Sequence, residues 1–136
     1  MKLEDLQEMY DTDMKIDMSS LQSEMMNNVK IYSKWMKIYS DIKKAIIVHE
    51  TSKKRVIKQR LDYHKGYTDE PCMEIYEKSE MKTVLSADEQ VIKTEATLQY
   101  WLLLLDFATR ALDGIKSRGF TLKHILECRQ YEAGGK

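Results

Sequence analysis

From Leu21 to Tyr63 the chain contains neither glycine nor proline, and over that length its apolar and aromatic residues recur by fours and threes. Leu21, Met25, Asn28, Tyr32, Trp35, Tyr39, Ile42, Ile46 and His49 form one seam, with Asn28 and His49 as its polar members. This is the heptad spacing of a helix that must cover a stripe along its length. The same register continues through Lys53, Val56, Arg60 and Tyr63, where the seam turns basic. Unbroken, such a helix is a rod of about 65 Å at ~1.5 Å per residue. A compact globule of this chain length is only about 36 Å across. Either the helix breaks, near Ser40-Asp41 or Thr51-Ser52, or the protein is elongated and partner chains cover the seam. The second reading is favoured.

The rest of the chain agrees with an all-α fold. Only 5 of 136 residues are glycine and one is proline, with 32% charged and 43% hydrophobic residues. Few breakers among many Lys, Glu, Leu, Met and Ala favour helix over sheet. Leu3, Leu6, Met9 and Tyr10 predict a short helix over 2–10 with acids in its first turn, followed by a loop over 11–17. That acidic arm either docks on the body or meets a basic surface. Ser19 or Ser20 is placed to cap the long helix. Gly66 predicts its end, and Tyr67 to Pro71 a loop. A shorter helix is expected to start between Pro71 and Ser79. Ser86-Ala-Asp-Glu89 has the spacing of a capping box. From it a helix runs through Val91, Ile92, Leu98, Trp101, Leu102, Leu105, Ala108, Leu112 and Ile115 to a stop at Gly119, and a last helix spans Phe120 to Tyr131. Tyr100 to Ala108 is apolar nearly all round, as in a helix buried on every side. In so small a chain that points to a subunit interface, with Asp106 paired to Arg110 one turn on. The expected division is an N-terminal helical region, 1–70, and a C-terminal helical oligomerisation region, 71–136.

Charge is distributed unevenly although it sums to zero. Residues 1–24 carry a net −5, residues 43–65 a net +6 and residues 66–100 a net −5. Within the basic block, Lys53, Lys54, Arg55, Lys58, Arg60 and Lys65 stand against the single acid Asp62. A neutral protein that gathers its cations in one place does so against self-repulsion. One reading is a solvated helix face. The other is a polyanion site, with Tyr63 and Tyr67 supplying rings on which bases stack while phosphates take the charge. A membrane surface fits less well, because the strip lacks the Trp, Phe and Leu face of an interfacial helix.

Other chemistry is hard to place on this sequence. His49-Glu50 begins like a zinc-binding HExxH, but position 53 is Lys, so the second ligand is missing. His64 and His124 lack Cys or carboxylate partners at ligand spacing, and glycine-rich nucleotide loops and the nucleophile elbow are absent. No catalytic residue, metal or cofactor is expected. Cys72 and Cys128 read as reduced thiols. The nine Met and eight Tyr read as core and interface. The acidic opening has no apolar core of a signal peptide, and Tyr100 to Leu105 is far shorter than the ~20 residues of a membrane span.

Several stretches together resemble the UvsY family, the recombination mediators of T-even-like phages. They are KLEDLQE (2–8), NNVKIYSKW (27–35), Ile57-Lys58-Gln59-Arg60-Leu61 followed by Asp62-Tyr63, YEKSEMKTVLSAD (76–88), LQYWLLLLDF (98–107) and ALDGIKSRGFTLKHI (111–125). The resemblance runs nearly end to end. It implies a non-enzymatic protein of the host cytoplasm that binds single-stranded DNA and forms a ring-like homo-oligomer, roughly hexameric to heptameric. It also implies that the protein helps a RecA-like recombinase, UvsX, load onto DNA covered by the phage single-strand binding protein. The family's basic motif, Leu-Lys-Ala-Arg-Leu, corresponds here to Ile57 to Leu61. That correspondence carries DNA binding onto Lys58 and Arg60. Charge and stacking add Lys53, Lys54, Arg55 and Tyr63. The family's C-terminal self-assembly agrees with an interface through Trp101, Leu102, Leu105, Leu112 and Ile115. The alternative function is a coiled-coil scaffold whose basic face meets acidic proteins.

Overall fold

The computed structural model describes residues 1–67 and 76–134, and within them every regular element is a helix: α1 (Leu3–Asp13), α2 (Leu21–His64), α3 (Lys78–Ser86) and α4 (Glu89–Glu132). Tyr67 of the expected loop is described; the rest of that loop and Cys72 lie outside the described residues. None of the helices is long and apolar enough to cross a membrane among the described residues.

α2 is unbroken at both suspected sites. Its end is where glycine predicts it. Gly66 takes φ +80°, donating its N–H to Tyr63 O while Tyr67 N–H reaches Asp62 O, a Schellman closure that a side chain at 66 would strain. The loop before α2 is held by Asp17, whose carboxylate accepts from the Ser19 N–H and hydroxyl. α1 runs three residues further than the spacing predicts, with Thr12 bonded back to Glu8 O. The start of α4 also shifts. Ser86 is the last residue of α3, and Asp88 caps α4 through Gln90 N–H and Val91 N–H.

Every position of the predicted seam, from Leu21 to Tyr63, is buried or half-buried. What covers it differs from expectation. The partner is α4 of the same chain rather than another subunit, as cross-helix bonds and ring contacts on both units show.

Two compact units form, and they do not follow a division near residue 70. Each takes part of α2 and part of α4, because two long paired helices share their contacts along their length rather than segregating by sequence order.

The first unit holds Met1–Ile42 with α4 from Leu103 onward. Trp35, Ile42, Leu104, Ile115 and Leu122 are fully buried there, each removed from water at a gain of about 1.5–3 kcal/mol. Tyr10 packs edge-to-face against both Trp35 and Phe107, whose own rings are tilted to each other, with all three centroids 5.9 to 6.1 Å apart. Trp35 Nε1 donates to Asp13 Oδ2 at 2.9 Å, and Lys34 pairs with the same carboxylate, so the acidic arm docks on α2. Arg118 is buried yet fully engaged at its tip. It donates to Asn28 Oδ1, Lys15 O and Glu24 Oε2 at 2.8 to 2.9 Å.

α4 does not stop at Gly119; it continues to Glu132. Glycine inside a helix costs about 1 kcal/mol relative to Ala. Here both interior glycines lie where other helices come close, Gly114 against Tyr10 and Gly119 against the Asn28 carboxamide. A stop signal and a close-packing signal look alike in sequence.

The second unit holds Lys43–Leu102. Ile46, Met81 and Leu98 are its buried apolar residues, and His49 stacks on Trp101 at 5.6 Å. Its other anchor is polar and lies at Asp88.

Candidate nucleic-acid interface

The basic block occupies the last three turns of α2, and helix geometry sorts it into two sets. Residues 54, 55 and 58 fall within about a 100° arc on one side of the helix, while residues 53, 60 and 64 lie on the other. Burial follows that division. Lys54, Arg55 and Lys58 are exposed, with 78% of the Lys58 side chain accessible. Its nearest acid is Asp62, one turn on at 3.6 Å, a loose pair that water screens. Exposed Lys44 extends this outer face toward the helix middle.

The inner set is already committed. Lys53 pairs with Glu95 of α4, and this bond holds the Glu95 carboxyl below the usual range. The two also stand in the wall of an apolar groove of about 600 Å³, lined by Ile57, Leu85, Val91, Ile92 and Ala96. Arg60 Nε donates to Asp88 Oδ2 at 2.8 Å, and His64 Nε2 lies 2.9 Å from the same oxygen. Only 4% of the Asp88 side chain is exposed. Burial raises its pKa, but the bonds from Arg60, His64 and two backbone amides outweigh it and hold the carboxyl at about 2. The Arg60 guanidinium sits 4.3 Å from the centre of the Tyr63 ring, which also meets His64 edge-on. Tyr63 is therefore a half-buried packing partner rather than an open stacking platform.

Of the six sequence-predicted DNA residues, the structure brings Lys54, Arg55 and Lys58 to one open face and turns Lys53, Arg60 and Tyr63 inward. Sequence reasoning missed Asp88, Glu95 and His64. The net −5 of residues 66–100 was the available signal, because displaced acids need not be far away in space.

The residues expected at a subunit interface also divide. Ile115 is fully buried in its own unit, which corrects its placement on an intersubunit surface: its apolar area is already used within the chain. Trp101 is half-buried against His49. Leu105 and Leu112 are half-buried, and Leu102 and neighbouring Leu103 are 37% and 48% exposed. Asp106 does pair with Arg110, at 3.1 Å on the exposed side of α4, so the apolar run has one solvent edge after all.

Residues 9–135 match the family described as recombination, repair and single-stranded-DNA binding protein UvsY. The chain belongs to the UvsY family. It is 55% identical to the recombination protein UvsY of Enterobacteria phage T4, across 98% of this chain and 99% of that one. Crystal structures of the T4 recombination mediator UvsY superpose on it: one at TM-score 0.90 with 55% identity and 98% of each chain covered, another lattice at 0.81 with 44% identity, 98% of this chain and 99% of that one. The UvsY resemblance read from the motifs and the all-α fold are both borne out.

Proposed function

We propose that this UvsY-family chain is a recombination mediator that binds single-stranded DNA on the outer face of α2. Lys54, Arg55 and Lys58 are the contacts, and the observation that carries the reading is their common exposure on one arc of a helix in a chain of this family. About three phosphate contacts per protomer give a salt slope near −2, roughly a twenty-fold loss of affinity between 50 and 200 mM salt. A site that weak works when repeated. In a ring-like homo-oligomer, roughly hexameric to heptameric, neighbouring basic faces make one continuous track, and multivalency converts weak sites into tight binding. The exposed Leu102 and Leu103 on α4, with half-buried Leu105 and Leu112 on the Leu102 side of the helix, are the assembly surface in this reading. A strand held along that track is bent away from the phage single-strand binding protein and offered to a RecA-like recombinase such as UvsX. The chain contributes binding and geometry, not catalysis.

Fluorescence anisotropy on single-stranded and duplex oligonucleotides, beside light scattering, tests this. Wild type should prefer the single strand. Lys54→Ala/Arg55→Ala/Lys58→Ala should lose most affinity while remaining assembled. Full affinity in that variant would leave a coiled-coil scaffold for acidic proteins as the better account.

A further inference from the structure

Arg60 belongs to the family-type basic motif, yet it points away from the open face. Lys58 and Arg60 are two residues apart, about 200° around the helix, so one strand cannot lie against both while α2 stays helical. We infer that Arg60 is a positioning residue: with His64 it clamps the end of α2 to the capping carboxylate of α4, so that Lys54, Arg55 and Lys58 are presented on an ordered helix. This rests on the DNA-binding reading above.

The clamp is built around a shared group. Asp88 Oδ1 accepts from the first amides of α4, while Oδ2 accepts from Arg60 Nε and lies against His64 Nε2. One carboxylate thereby joins the start of α4 to the last two turns of α2. If Arg60 swung out to a phosphate, a buried carboxylate would lose its cation, a larger loss than one water-screened phosphate contact returns. Tyr63 beneath the guanidinium holds the inward rotamer further. Freed from the clamp, the turns around Lys58 would fray, and each phosphate contact would first have to order them.

The amide nitrogen of Gln occupies the place of Arg Nε, so Arg60→Gln keeps the donor to Asp88 and removes the charge. Arg60→Gln, Arg60→Ala, Asp88→Asn and the outer-face triple variant are to be compared in the full-length protein. The readouts are single-strand affinity against salt, amide hydrogen exchange over 57–64, and light scattering. Asn keeps the cap of α4 but not the anion. The expected result has three parts. Arg60→Gln keeps the wild-type salt slope and binds more tightly than Arg60→Ala, because it retains the donor to Asp88 though not the charge. Arg60→Ala and Asp88→Asn bind several-fold more weakly, with faster exchange and an unchanged slope. The triple variant loses about two units of slope per protomer. The inference is overturned if both Arg60 variants lose about 0.7 of slope per protomer, or if Asp88→Asn binds more tightly by freeing Arg60. An unchanged slope in the triple variant overturns the DNA-binding reading itself, and that result comes from residues outside the clamp.

Discussion

Tyr10 of α1 places its hydroxyl where the Cβ of any other residue at position 114 would lie, so Gly114 is the point at which α1 meets α4. The Tyr10 ring cannot swing aside cheaply, because it is wedged edge-on between Trp35 and Phe107. Gly114→Ala should gain about 1 kcal/mol of helix propensity and lose about 1–3 kcal/mol to overpacking. The expected net effect is a destabilisation of about 1 kcal/mol in urea unfolding. Tyr10→Phe removes the colliding oxygen, so the double variant should be more stable than Gly114→Ala alone. A Gly114→Ala protein more stable than wild type would contradict this packing.

Glu24 is the only carboxylate on the buried guanidinium of Arg118 among the described residues. Its removal leaves a charge buried without a counterion, a loss of about 3–5 kcal/mol in comparable sites. Glu24→Ala should lower the unfolding midpoint far more than Glu8→Ala, an exposed acid on α1. Arg118→Met, which removes the charge as well as its bonds, should be milder than its three lost hydrogen bonds suggest. Chemical denaturation of the three proteins side by side decides the order.

Asp88 makes stability depend on acid. Its folded pKa, about 2, lies below the ordinary 3.8, so the unfolded chain binds the proton more readily. The stabilisation is therefore complete above about pH 4 and is lost as pH falls toward 2, amounting to about 2 kcal/mol. Asp88→Asn should be less stable than wild type at pH 7, and the gap should close by pH 2. A gap that stays constant from pH 7 to pH 2 would show that the carboxylate is not held as the geometry requires.

Assembly is expected to depend on the exposed apolar edge of α4. Leu102→Glu/Leu103→Glu puts two charges on that edge without touching the buried Leu104 or Ala108. Light scattering should report smaller particles, while far-ultraviolet circular dichroism keeps its helical signal. Single-strand affinity should fall with the valency, although every cation on α2 is intact. Unchanged particle size would move the assembly surface elsewhere.

Periodicity alone carried much of the architecture. The seam from Leu21 to Tyr63 is the covered face because side chains at that spacing share one side of a helix wherever the helix goes. The same holds for the turn at Gly66, the Asp106–Arg110 pair and the exposure of Lys54, Arg55 and Lys58. Local geometry determines such features, so they are legible before any fold is known. The identity of the covering partner is not local. α4 covers α2 because the chain folds back on itself, and that contact took Ile115 from a supposed subunit interface into the core. It also made Gly119 a point of approach to Asn28 instead of a helix end. Arg60 shows the limit most sharply. Its place in the family-type basic motif put it among the expected DNA contacts, but a carboxylate 28 residues away, brought near by folding, holds it on the inner side of the helix.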